Sequence, residues 1–267
     1  MTMTAAADAA AVLANAAFGD DPGRWPLPAA TTPHEGWLRA VVAGGQGRYA
    51  SALADLVVLC RVQRSGPLVS LAHSTRASFL RQLGWHTCAR GWDGRAWALA
   101  GEAPEAGADA LIGLAADALG VGRFAASAQL LQRAQALSDA GPGRLPVRLA
   151  WVSAELAMAR GDRAAAVEHA DRAVDLAATY GSARHAVKSD VILAASLCIV
   201  GAVERSRRIA DSALATAGRL GIVPLCWALA CLLADIGSQT HTPAQILGIR
   251  DESADTVRRR GGVWAGR

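Results

Sequence analysis

The residues in this 267-residue chain that could act as ligands, bases or nucleophiles are six histidines, five cysteines and 23 carboxylates. Their spacing argues against most chemistry. His86 and Cys88 stand two apart, but two ligands without a third nearby do not make a zinc site. Cys226 and Cys231 are five apart, which points them to different faces of a helix. Cys60, Cys88, Cys198, Cys226 and Cys231 include no CxxC pair and sit in apolar helical patterns, where a thiol behaves as a small hydrophobe. Gly44-Gly45-Gln46-Gly47 resembles a phosphate loop only on the surface. No Lys-Ser/Thr follows it, and the sole lysine, Lys188, is far along the chain. Neither Gly-x-Ser-x-Gly nor His-Glu-x-x-His occurs. Glu155 and Asp190 read as solvated or arginine-paired carboxylates rather than an acid–base dyad. The expectation is a chain that is not an enzyme and holds neither metal nor cofactor.

The elements that must position these residues are helices. More than a fifth of the chain is alanine, the best helix former and a small residue at a helix contact, while only 5% is aromatic. Sheets favour the opposite balance. The net charge of +4 is too slight to imply nucleic acid without a clustered patch. The longest uncharged apolar runs, Val191–Val203 and Leu220–Ala234, are shorter than a membrane span, and the second contains Pro224. The first residues lack a basic region, and Asp8 interrupts their apolar stretch, unlike a secretory signal. These features, with unpaired cysteine spacing, lead to the expectation of a cytoplasmic protein without a membrane partner.

Glycines recur every 16 to 21 residues from Gly47 to Gly237, with helical spacing between them. Glycine is the usual residue just past a helix end, so the pattern predicts helices of four to five turns joined by tight turns. Gly66-Pro67 and Gly141-Pro142-Gly143 are the strongest breaks. Alternate glycines form one class: Gly47, Gly84, Gly122, Gly161, Gly201 and Gly237. Seven residues before each stands an alanine: Ala40, Ala77, Ala115, Ala154, Ala194 and Ala230. Five residues after each stands a small residue: Ala52, Ala89, Ser127, Ala166, Ser206 and Thr242. Small side chains at both places let two antiparallel helices cross closely. The predicted pairs are 34–45 with 48–63, 68–83 with 86–100, 105–120 with 123–140, 144–160 with 163–180, 182–200 with 203–220, and 223–236 with 243–260.

This motif, with Tyr49 and Phe124 two residues after their glycines, resembles the tetratricopeptide repeat. Residues 159–176 carry the best match, and the resemblance spans about 33–250, with a period of 36–40 residues rather than the family's 34. The last unit departs, with Gln239 at the aromatic place, and Arg163 stands there in the fourth. The resemblance implies an all-α fold, an α-solenoid of about six antiparallel hairpins wound as a right-handed superhelix. Residues 1–32 read as a helix and a proline-rich loop, 33–260 as the repeat domain, and 261–267 as a flexible tail.

In such a family the first helices line a concave groove that takes a peptide or helix. Ten residues before the turn glycines stand Trp37, Trp151 and Trp227, with Arg81, Arg148, Glu155 and Lys188 on the same face. These are the candidate groove residues; the other reading of the tryptophans is packing between units. Trp85, Trp92 and Trp97 lie within thirteen residues, at a turn and second helix. They could form a contact or homodimer patch, or pack between repeats. The family's Lys/Asn carboxylate clamp is missing, since Asn15 is the only asparagine. The leading expectation is a scaffold presenting its groove to a protein or peptide. The alternative is a regulatory sensor or transcription-regulator accessory that binds a small ligand, for which an enclosed pocket is required, or a partner protein.

Overall fold

The computed structural model describes residues 2–138 and 143–266, and among these every regular element is a helix. A short N-terminal helix, α1 (Thr2–Phe18), precedes six hairpins. These are α2 (Pro33–Gly45) with α3 (Tyr49–Val62), α4 (Pro67–Gln82) with α5 (His86–Leu99), and α6 (Pro104–Gly120) with α7 (Phe124–Ser138). Then come α8 (Arg144–Arg160) with α9 (Arg163–Tyr180), α10 (Ala183–Ile199) with α11 (Val203–Arg219), and α12 (Val223–Ile236) with α13 (Pro243–Arg259). Residues 139–142, which include Gly141 and Pro142 of one predicted break, lie outside the described residues.

Local chemistry fixes the helix ends. Thr32 and Thr242 each begin a helix with a reciprocal capping box, to Glu35 and Gln245. Proline opens α2, α4, α6, α12 and α13, where its missing N–H costs nothing. Gly161 and Gly181 end α8 and α9 at φ of 75° and 77°, the left-handed conformation that a side chain would strain.

The alanine register explains the packing. Ala40, Ala77, Ala115, Ala154, Ala194 and Ala230 are all 0% exposed, as are Ala52, Ala89, Ser127, Ala166 and Ser206 across the crossings. In the fifth hairpin the Ser206 hydroxyl donates to the Ala194 carbonyl at 2.7 Å, so the two small positions touch. Thr242 departs from the pattern: it is exposed and caps α13. The first helices α2, α4, α6, α8, α10 and α12 pack in succession along the inner side, and each second helix bridges to the next first helix. This is an all-α solenoid.

The solenoid closes on itself. Val257 near the end of α13 is buried in the same core as Tyr49, Leu56 and Phe79 of the first hairpins. The Arg260 carbonyl accepts from the Ala50 amide at 3.0 Å, and its guanidinium donates to the Gln46 carbonyl at 2.7 Å. The segment expected to be a flexible tail continues this contact. Ala265 N–H donates to the Leu83 carbonyl at 2.8 Å, and the Trp85 indole donates to the Val263 carbonyl at 2.7 Å. The glycine pair of this segment permits the close approach. Gly261 turns at φ +90°, and a Cβ on Gly262 would stand 2.5 Å from Val257 and 2.8 Å from Tyr49. From the other end, α1 packs against α2 and reaches α10, where the Ala183 amide donates to the Gly19 carbonyl at 3.0 Å.

Candidate binding cavity

With both termini folded inward, the inner face of the first helices becomes the wall of a cavity of about 780 Å³. All seven groove residues expected from the sequence, Trp37, Arg81, Arg148, Trp151, Glu155, Lys188 and Trp227, lie around it, with Phe18 of α1 and Trp264 of the tail. The expected groove is instead a cavity closed over in part. The end of α13 meets the turn between α2 and α3, and Trp264 lies 4.4 Å, ring to ring, from Trp227.

Two of these tryptophans tie neighbouring repeats together. The Trp37 indole donates to Thr75 Oγ1 at 2.9 Å, and the Trp151 indole to Ser189 Oγ at 2.8 Å. Each bond runs to the first helix of the next hairpin, so the rings lock neighbouring repeats while one face stays in the cavity. Trp85, Trp92 and Trp97 do not converge on one patch. Trp85 meets the tail, Trp92 lies between Arg76 and Arg95 at 3.9 and 4.7 Å, and Trp97 faces Arg133 at 5.1 Å. The three turn towards different neighbours because Trp85 stands at the N-cap, before α5, and a spacing of five turns Trp97 well away from Trp92.

The charges on the wall are arranged in two ways. Arg81 of α4 is sandwiched by acids: its Nε donates to Asp117 Oδ1 at 2.8 Å and its Nη2 pairs with Asp93. Both carboxylates are completely buried. Two acids share one guanidinium, so burial, reinforced by the Asp117 charge, pushes the Asp93 carboxyl up to about 8 against the pull of Arg81. His86, 3.9 Å from Asp117, is held below its ordinary value, first by burial. Gly113 makes the arrangement sterically feasible, since a Cβ there would stand 2.3 Å from the Asp93 carboxylate.

Towards α8 and α10 the balance changes. Asp109 is shared by Arg144, at 2.9 Å, and Arg148. Arg144 also reaches Glu105 at 3.1 Å, and Lys188 pairs with Glu155 at 3.3 Å. Among the described residues Arg184 has no carboxylate partner; its guanidinium faces the Phe18 ring at 6.0 Å. Burial, and secondarily the positive Arg144, pushes the Arg184 guanidinium down to about 10. Arg148 is also pushed to about 10, by burial and then by Arg81. Both remain charged at neutral pH. His185 stacks on Trp151 at 5.3 Å and meets Tyr180 edge-on at 5.2 Å. Burial, then Arg184, Arg144 and Arg148, holds it neutral, well below the usual histidine range.

Ser182 and His185 form a hydroxyl–imidazole contact of 2.8 Å, the one pair here with the outline of a nucleophile and base. It lies within the first turn of α10. An imidazole surrounded by guanidinium groups is a poor proton acceptor, and the contact serves to orient the ring against Trp151. Among the described residues, no three His, Cys, Asp or Glu side chains are grouped to hold a metal ion, and no helix is long and apolar enough to cross a membrane.

Arg144, Arg184 and Asp109 were missed in the sequence, although the register contains them. Seventeen residues before successive turn glycines stand Glu105, Arg144 and Arg184, and thirteen before stand Asp109, Arg148 and Lys188. Projecting those two rows, as was done for the tryptophans, would have found the charged wall. Phe18 and Trp264 carry no such signal, because the elements holding them lie outside the repeat. Compared with models of known families and with curated proteins, the chain matches none.

Proposed function

We propose that this chain is a non-catalytic binding protein, a tetratricopeptide-like solenoid that holds a small ligand in its central cavity and serves as a regulatory sensor. The observation that carries the reading is the partly closed cavity. A cavity of about 780 Å³, walled by Phe18, Trp37, Trp151 and Trp227 and by a few placed charges, has the size and mixed lining of a small-molecule site. An extended partner protein would need the closed ends to separate. Nucleic acid is disfavoured, because Arg81, Arg148 and Lys188 face acids inside the cavity rather than forming an outer strip.

The scaffold reading keeps one specific support: Trp264, on an extended segment, already lies against Trp227, so this part of the wall accepts a peptide. Native mass spectrometry of the chain purified from its own cells separates the two. The sensor reading expects a bound molecule below about 1 kDa, lost when Ala228→Trp fills the cavity. A co-purifying protein that survives Ala228→Trp, with no small molecule present, would overturn it.

A further inference from the structure

Arg184 is the side chain on the wall whose charge the fold leaves unanswered. Its neighbours Arg144 and Arg148 share Asp109, so this end of the cavity carries more guanidinium groups than the inner carboxylate beside them can balance. Glu105, the other partner of Arg144, is largely exposed at the rim. Arg184 is half-buried; a cation drawn even partly out of water without a counter-charge is unfavourable for folding, and the aromatic residues around it offer only weak compensation. The pocket beside it is apolar and flat-walled: Phe18 packs on Trp37 at 5.6 Å, and His185 on Trp151 at 5.3 Å. His185 donates no competing charge.

Resting on the cavity reading above, we infer that the ligand is an organic anion: one carboxylate or phosphate group on an aromatic or apolar body, with the anionic group held by Arg184 between Arg144 and Arg148. A planar guanidinium binds either oxyanion through paired N–H donors, and the rings beside it cover the ligand's body. The anion supplies the counter-charge that the folded chain lacks.

Titration calorimetry on the full chain tests this with 1-naphthyl phosphate, 1-naphthoate and the neutral 1-naphthalenemethanol. At least one anion is expected to bind ten times or more tightly than the alcohol, and the tighter of the two names the oxyanion. Raising the salt from about 50 to 500 mM should weaken the anion and leave the alcohol unchanged. Arg184→Gln should weaken the anion at least tenfold while helicity and alcohol binding persist. Equal binding of alcohol and anions, or an Arg184→Gln variant that binds the anion as before, overturns the anion assignment and leaves the cavity reading standing. Loss of helicity in Arg184→Gln also overturns it, since Arg184 would then be structural. If no probe binds to a helical chain, both readings fall.

Discussion

Arg81 and Arg184 line the same cavity, both sit on first helices, and both are half-buried, yet their surroundings differ. Arg81 pairs with Asp93 and Asp117, two fully buried acids. Arg184 faces a phenyl ring and two other arginines. Removing one partner of a buried ion pair leaves an uncompensated charge, whereas removing an uncompensated charge relieves the fold. Burial alone therefore does not distinguish a structural arginine from a ligand-binding one; the distinguishing feature is whether the folded chain already supplies the counter-charge.

The largest expected effect comes from Arg81. Arg81→Met should destabilise the chain by about 3–5 kcal/mol in urea unfolding, because the buried Asp117 carboxylate and its neighbour Asp93 lose the cation they share. A loss below about 1 kcal/mol would mean that the acids are as unpaired as Arg184. Next come the helix crossings. Ala154→Leu places three extra carbons at a site with no exposed surface, and should cost about 1–3 kcal/mol; a neutral result would show that the hairpin can spread. Gly113→Ala inverts the usual rule. Alanine within a helix ordinarily adds about 1 kcal/mol of stability over glycine, but here the new methyl meets the Asp93 carboxylate and a lower melting temperature is expected.

The smallest effect is on pH. Asp93 has its folded pKa raised, so it holds its proton in the folded state, and its contribution is present at low pH and lost as pH rises through about 8. His185 and His86 are lowered, so their contributions have the opposite sign and are lost as pH falls below the ordinary histidine value of 6.5. Between pH 6.5 and 8 only the Asp93 trend remains among these three. Stability should decline there with a slope of at most about 1.4 kcal/mol per pH unit, and Asp93→Asn should flatten it.

What the sequence could reveal follows from the range of each interaction. The alanines and glycines encode local events, a crossing and a turn, repeated six times, so helix bounds and the inner face were readable to within a residue or two. The charged rows at Glu105, Arg144 and Arg184 obey the same register and were readable in principle. Closure was not. It depends on Gly262 fitting against Tyr49 and Val257, and on Trp264 meeting Trp227, contacts between distant segments that leave no periodic trace. For that reason a groove was expected where the chain forms a partly closed cavity, and residues 261–267, which make a close approach, were read as a flexible tail.

Thermal unfolding of Arg184→Met, with and without 1-naphthyl phosphate, tests the central contrast most directly. The variant should melt no lower than the unsubstituted chain in the absence of the anion, and should lose the rise in melting temperature that the anion gives that chain. A variant that melts several degrees lower, yet is still raised by the anion, would show that Arg184 supports the fold and that the ligand binds elsewhere.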